Sequence, residues 1–91
     1  MLDVFFQTKF KQDYKRCKKR GKDIKKFDDL LKILVADEEL PEEYQDHPLI
    51  GNYKGFRECH IEPNWLLIYE KTETTIYFVR LGTHSDLFKN K

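Results

Sequence analysis

YKGFRECHIEPNWLLIYEKTETTIYFVRL, residues 53–81, contains three runs of aromatic, aliphatic and β-branched residues, at 53–61, 65–71 and 74–81. Two sets of turn formers separate them, EPN at 62–64 and KTET at 71–74. Both breaks are short enough for hairpins, so the three runs are expected to form an antiparallel meander. In a strand, residues two apart share a face. Phe56, Glu58 and His60 should therefore point one way and Arg57, Cys59 and Ile61 the other, while Ile76, Phe78 and Arg80 are expected on one face of the last strand.

Ahead of the meander the pattern changes. Residues 37–52 are acidic and carry Pro41, Pro48 and Gly51, which discourage a long regular element, so they read as an extended connection. For so small a chain it is a long one, and long loops are often functional. Earlier still, apolar residues recur at helical spacing twice. Phe10, Tyr14 and Cys17 mark a helix at 9–20 that Thr8 could cap and Gly21 could stop, and Ile24, Phe27, Leu31, Leu34 and Val35 mark a second at 24–36 capped by Asp23. The apolar run at 2–6 reads as a first strand. The order β-α-α-β-β-β predicts an α+β fold. Two N-terminal helices pack on one face of a four-stranded, mostly antiparallel sheet, the other face is open to solvent or to a partner, and there is room for a short helical turn after the last strand.

Ninety-one residues, 40% hydrophobic and 14% aromatic, suffice for one modest core, so residues 1–91 are read as a single domain. The net charge of +1 conceals a segregation along the chain. Residues 9–26 hold ten Lys/Arg against two Asp, and residues 28–46 hold eight Asp/Glu against one Lys. Such asymmetry sets up a local field that can attract an anionic polymer, although solvated faces that keep the protein soluble have the same composition. No apolar run is long enough to span a bilayer. Cys17 and Cys59 lack metal-type spacing and no leader-like segment opens the chain, which reads as a cytoplasmic protein with reduced thiols.

The residues that could carry chemistry cluster late: His47, His60 and His84 with Arg80. Imidazole can give or take a proton near working pH, and a guanidinium can hold a developing phosphorane charge, so the set fits phosphodiester cleavage. Each also has a plainer explanation. His47 could be a surface residue, His60 a half-buried strand residue, Arg80 one half of a salt bridge and Trp65 part of the core. The histidine spacings match no recognised zinc pattern, so no metal is expected.

The stretch DHPLIGNYKGFRECHIEPNWLLIY at 46–69, followed by RLGTHSDLF at 80–88, resembles the YafQ-like branch of the RelE/ParE toxin superfamily, the mRNA interferases of bacterial type II toxin–antitoxin pairs. That resemblance implies a RelE-like fold and a toxin that cuts mRNA in the ribosomal A site by attack of a 2′-OH on the adjacent phosphate, with no metal or other cofactor. A cognate antitoxin is the implied partner, and the bacterial cytoplasm the implied location. The family's active-site positions fall on His47, His60, Trp65, Arg80, His84 and Phe88. Arg80 would hold the scissile phosphate, His84 and His47 would serve as acid and base in an order left open, and His60 would contribute charge or orientation. Trp65 and Phe88 would pack against bases or shape the pocket. Asn64 stands where many relatives carry an acidic residue and is counted among the substrate-binding positions; an amide cannot accept a proton as a carboxylate does. Lys18, Lys19 and Lys22 would grip RNA phosphates. Two other readings stay open: a RelE-fold module that binds an antitoxin or nucleic acid without cutting, and a ParE-like gyrase inhibitor, whose relatives generally lack the histidine set.

Overall fold

The computed structural model describes residues 1–88. Its strands and helices run β1 (Asp3–Phe6), α1 (Thr8–Lys19), α2 (Ile24–Val35), β2 (His47–Pro48), β3 (Arg57–Glu62), β4 (Trp65–Lys71), β5 (Thr75–Gly82) and α3 (His84–Phe88). The sheet order is β1-β5-β4-β3-β2, with β1 parallel to β5 and every other pairing antiparallel. The meander is thus present as expected. The sheet has five strands rather than four because the connection is not wholly irregular: His47 and Pro48 pair with Glu58 and Arg57. The strand anticipated from residue 53 begins only at Arg57, since Gly51–Tyr53 forms a 3₁₀ turn.

The helix ends follow local chemistry, with one exception. Gly21, at φ +86, closes α1: its N–H donates to the Lys18 carbonyl and the Lys22 N–H to that of Cys17, the paired bonds of a Schellman stop. Asp23 caps α2 by accepting the Lys25 N–H. Thr8 does not cap α1; it is already the first helical residue, and extended Gln7 takes the cap position without a side-chain bond.

Both helices lie on one face of the sheet over the main core. Phe10 and Cys17 from α1 and Phe27, Leu30 and Leu34 from α2 meet Trp65, Leu67, Ile76 and Phe78. The opposite face is less open than the element order suggests. Leu66 and Ile68 of β4 are fully buried there, covered by Val79, by Leu87 of α3 and by Leu49, Tyr53 and Phe56 of the connection. Among the described residues, no helix is long and apolar enough to cross a membrane.

A bulge in β5 decides which way Arg80 points. Ile68 pairs with Arg80 and Tyr69 with Phe78, which leaves Val79 as an extra residue. Phe78 stays in the core beneath the helices, while Arg80 is turned to the face shared by Ile68, Glu58 and His60. The expectation that Ile76, Phe78 and Arg80 share one face is therefore corrected: alternation holds only up to the bulge.

Candidate active site

On the face turned away from α1 and α2, three histidines from three elements stand in a row. The ring centroids of His47 and His60 lie 6.2 Å apart and those of His60 and His84 6.0 Å apart. Phe88 continues the row at 6.3 Å from His84, and Tyr53 meets Phe88 edge to face at 5.6 Å. Arg80 is turned to the same face, paired across the sheet with Ile68.

Each histidine is held by a different partner. Glu58, only 5% exposed, puts Oε1 at 2.8 Å from His47 Nε2 and 3.4 Å from His60 Nε2. The other ring nitrogen of His47, Nδ1, lies 3.0 Å from the Pro48 carbonyl. Both nitrogens of His47 therefore face acceptors. His84 is different. Asn64 Oδ1 accepts the His84 backbone N–H at 2.9 Å, which identifies that atom as the amide oxygen, and it lies 2.7 Å from Nδ1. Nδ1 must then carry the proton, leaving Nε2 as the nitrogen free to accept another.

The backbone beneath His84 is built for it. Thr83 Oγ1 accepts the Asp86 N–H and Asp86 accepts the Thr83 N–H, a capping box that starts α3. A side chain at Gly82 would come within 2.9 Å of Asp86, so glycine leaves the room the box needs. Partial burial pushes the Asp86 carboxyl up, but Arg20, the Thr83 N–H and Arg16 together hold it down at about 2. His47 is fixed from the other end of the site: Asp46 accepts from Arg57 Nε at 3.0 Å and Nη2 at 2.8 Å, and from the Tyr69 hydroxyl.

Arg80 is already engaged. Its Nε donates to Asp13 Oδ2 at 2.7 Å and its Nη2 to Asp13 Oδ1 at 3.2 Å. These bonds foremost keep the guanidinium above its ordinary pKa. Trp65, expected to pack against bases or shape the pocket, is fully buried in the main core, where its indole N–H donates to Cys17 Sγ at 3.3 Å. From there its ring is out of reach of a stacked nucleotide. Lys18 and Lys19 are exposed, but Lys22 lies 3.5 Å from Glu62 and 5.6 Å over the Trp65 ring. Among the described residues, Lys9, Lys11, Lys15, Lys18 and Lys19 of α1 are exposed and in no salt bridge, and Lys15, Lys18 and Lys19 stand together on its surface.

Two residues went unassigned in the sequence. Glu58 was visible only as a neighbour of His60 on its face, and Asp13 as a carboxylate between Phe10 and Cys17 on the apolar stripe of α1; a charge in such a place was the available signal. Glu58 also changes the metal question. One ligand atom each from His47, Glu58 and His60 lie within 4.8 Å of one another, a donor set that fits a divalent cation although the histidine spacing alone gave no such pattern.

The chain as a whole is matched by known proteins. The model of the bacterial toxin of type II toxin–antitoxin systems, YafQ, matches residues 2–89. The chain belongs to the YafQ toxin family. It is 41% identical to the mRNA interferase toxin YafQ of Escherichia coli K12 across 94% of this chain and 95% of that one. YafQ from E. coli BL21(DE3) superposes with a TM-score of 0.93 at 39% identity, covering 97% and 99% of the two chains. A metal-bound toxin from Helicobacter pylori superposes with a TM-score of 0.89 at 42% identity, covering 97% and 100%.

Proposed function

We propose that this protein is the toxin of a type II toxin–antitoxin pair and an mRNA interferase that cuts RNA by attack of a ribose 2′-OH on the adjacent phosphate. The observation that carries the reading is the row of three histidines with one imidazole nitrogen left free. His84 Nε2 takes the proton from the 2′-OH, since Asn64 holds the other nitrogen protonated. His47 and His60, gathered on Glu58 at the other end of the row, supply the proton for the departing 5′-oxygen. Arg80 holds the scissile phosphate as its charge grows, and Phe88 offers an apolar ring beside His84. If His47, Glu58 and His60 held a divalent cation, it would add positive charge at that end.

Residues 1–91 act in this reading as one toxin unit in the bacterial cytoplasm, with the translating ribosome presenting the mRNA. Lys15, Lys18 and Lys19 meet ribosomal phosphates. A cognate antitoxin is the protein partner. It is supported by the E. coli DinJ–YafQ toxin–antitoxin complex, whose matched chain superposes with a TM-score of 0.90 at 41% identity. It is supported also by the edge strand β1, where Val4, Phe5 and Phe6 are exposed beside an apolar groove of about 400 Å³ flanked by Lys11 and Lys15.

Cleavage of mRNA on programmed ribosomes tests the assignment. His84→Ala should lose roughly 10²- to 10⁴-fold in rate, the usual contribution of a positioned acid or base, with little change in thermal midpoint because the ring is exposed. Wild-type cutting by this variant would take the proton-accepting role away from His84, and failure of the unmodified protein to cut would reduce it to a non-cleaving binder of antitoxin or nucleic acid.

A further inference from the structure

We propose that Asp13 is a positioning residue for the cleavage reaction, one that fixes the edge of Arg80 presented to the phosphate. The inference rests on the assignment of Arg80 as the phosphate holder. Asp13 lies on the buried stripe of α1 and is only 2% exposed, a rare place for a carboxylate. Its two oxygens are nearly fully used. Oδ2 accepts Arg80 Nε at 2.7 Å and the Leu81 backbone N–H at 3.0 Å; Oδ1 accepts Arg80 Nη2 at 3.2 Å and Arg16 Nη2 at 2.9 Å.

The bond to Leu81 explains why an acceptor is needed here. Strand β1 pairs with β5 only from Thr75 to Phe78, so beyond that point the outer edge of β5 has lost its neighbour. Asp13 satisfies the Leu81 N–H in place of the missing strand. The grip on Arg80 is a separate matter. A guanidinium has two edges and an end from which to donate. With Nε and Nη2 committed to a buried carboxylate, the planar group is held in one orientation and Nη1 is the nitrogen not engaged by Asp13. The same network reaches α3, since Arg16 lies 2.9 Å from Asp13 and 3.8 Å from Asp86, which also takes Arg20 at 2.8 Å. Helix α1 thereby braces both Arg80 and the short helix that begins with His84.

The experiment is a double-mutant cycle on programmed ribosomes with Asp13→Asn, Asp13→Glu and Arg80→Ala, each checked for thermal midpoint. Asp13→Asn keeps an acceptor for Leu81 but loses the charge; Asp13→Glu keeps the charge but displaces it. Both should lower the single-turnover rate at saturation, by up to about 10²-fold for a displacement of about an ångström, while half-saturation by ribosomes stays unchanged. In the Arg80→Ala background neither should cost anything more. Equal losses with and without Arg80 would overturn the inference, as would wild-type rates for both Asp13 variants beside an impaired Arg80→Ala. Wild-type cutting by Arg80→Ala would instead overturn the phosphate-holding assignment. The Arg80 Nε–H resonance of the wild-type protein gives a reading that requires no variant to fold: it should exchange slowly with solvent, and fast exchange would refute the contact.

Discussion

Asn64 sits in the two-residue turn between β3 and β4 with one oxygen directed at two donors of His84. Removing that oxygen by Asn64→Ala frees the ring to adopt either tautomer and should lower cutting about tenfold or more. Asn64→Asp keeps the acceptor and adds a negative charge, which favours the imidazolium. For a histidine that must be neutral to accept a proton, the ascending limb of the pH–rate profile should then move up by about one pH unit or more. An unmoved limb would place the proton acceptor elsewhere. At this scale the sequence revealed residue types better than their roles. His47, His60, His84 and Arg80 stood out as titratable or charged groups, whereas Glu58 and Asp13 act through contacts 11 and 67 residues away that no spacing announces. Trp65 could be either platform or core on its chemistry alone, and only its burial decides.

Helix α3 has five residues, too few to persist without support, and the stretch before it supplies that support. Gly82→Ala would place a methyl group 2.9 Å from an Asp86 side chain held by Arg20 and by the capping box. The expected cost is about 1–3 kcal/mol, read as a lower thermal midpoint, together with slower cutting because His84 opens the displaced helix. Asp86 also sets an acid limit. Its folded carboxyl titrates at about 2 against an ordinary 3.8, so the stability it contributes is complete above about pH 4 and is lost as pH falls towards 2. Asp86→Asn should flatten the fall in stability across that interval, and denaturant titrations at a series of pH values would show it. The sequence displayed both helices and the meander, because repeated periods report on many residues at once. It hid β2 and the β5 bulge. A two-residue strand has no period, and a bulge interrupts the alternation by which faces are assigned.

For the whole molecule, charge is distributed by commitment as well as by sign. Arg16, Arg20 and Lys22 are tied to Asp13, Asp86 and Glu62, whereas Lys15, Lys18 and Lys19 are among the members of the basic run that are in no salt bridge among the described residues. Replacing those three by glutamine should reduce the salt dependence of ribosome binding by about 2–3 in the slope of log K against log salt, with the fold intact. An unchanged slope would make the run a solubilising face. The run itself was plain in the sequence; which of its members are free was not, because their partners lie on distant strands. The parallel pair of β1 and β5 has a consequence of another kind. Asp3 finds its partner only at Thr75, so β1 emerges from a ribosome long before the strand that receives it. Such non-local closure is slow and comes late in synthesis. Every histidine of the site follows β1 in the chain, and Arg80 and His84 follow the closing pair itself. Under the proposed function a nascent copy therefore has no complete site while its sheet is open, and Phe5 and Phe6 stand exposed to a partner during that interval.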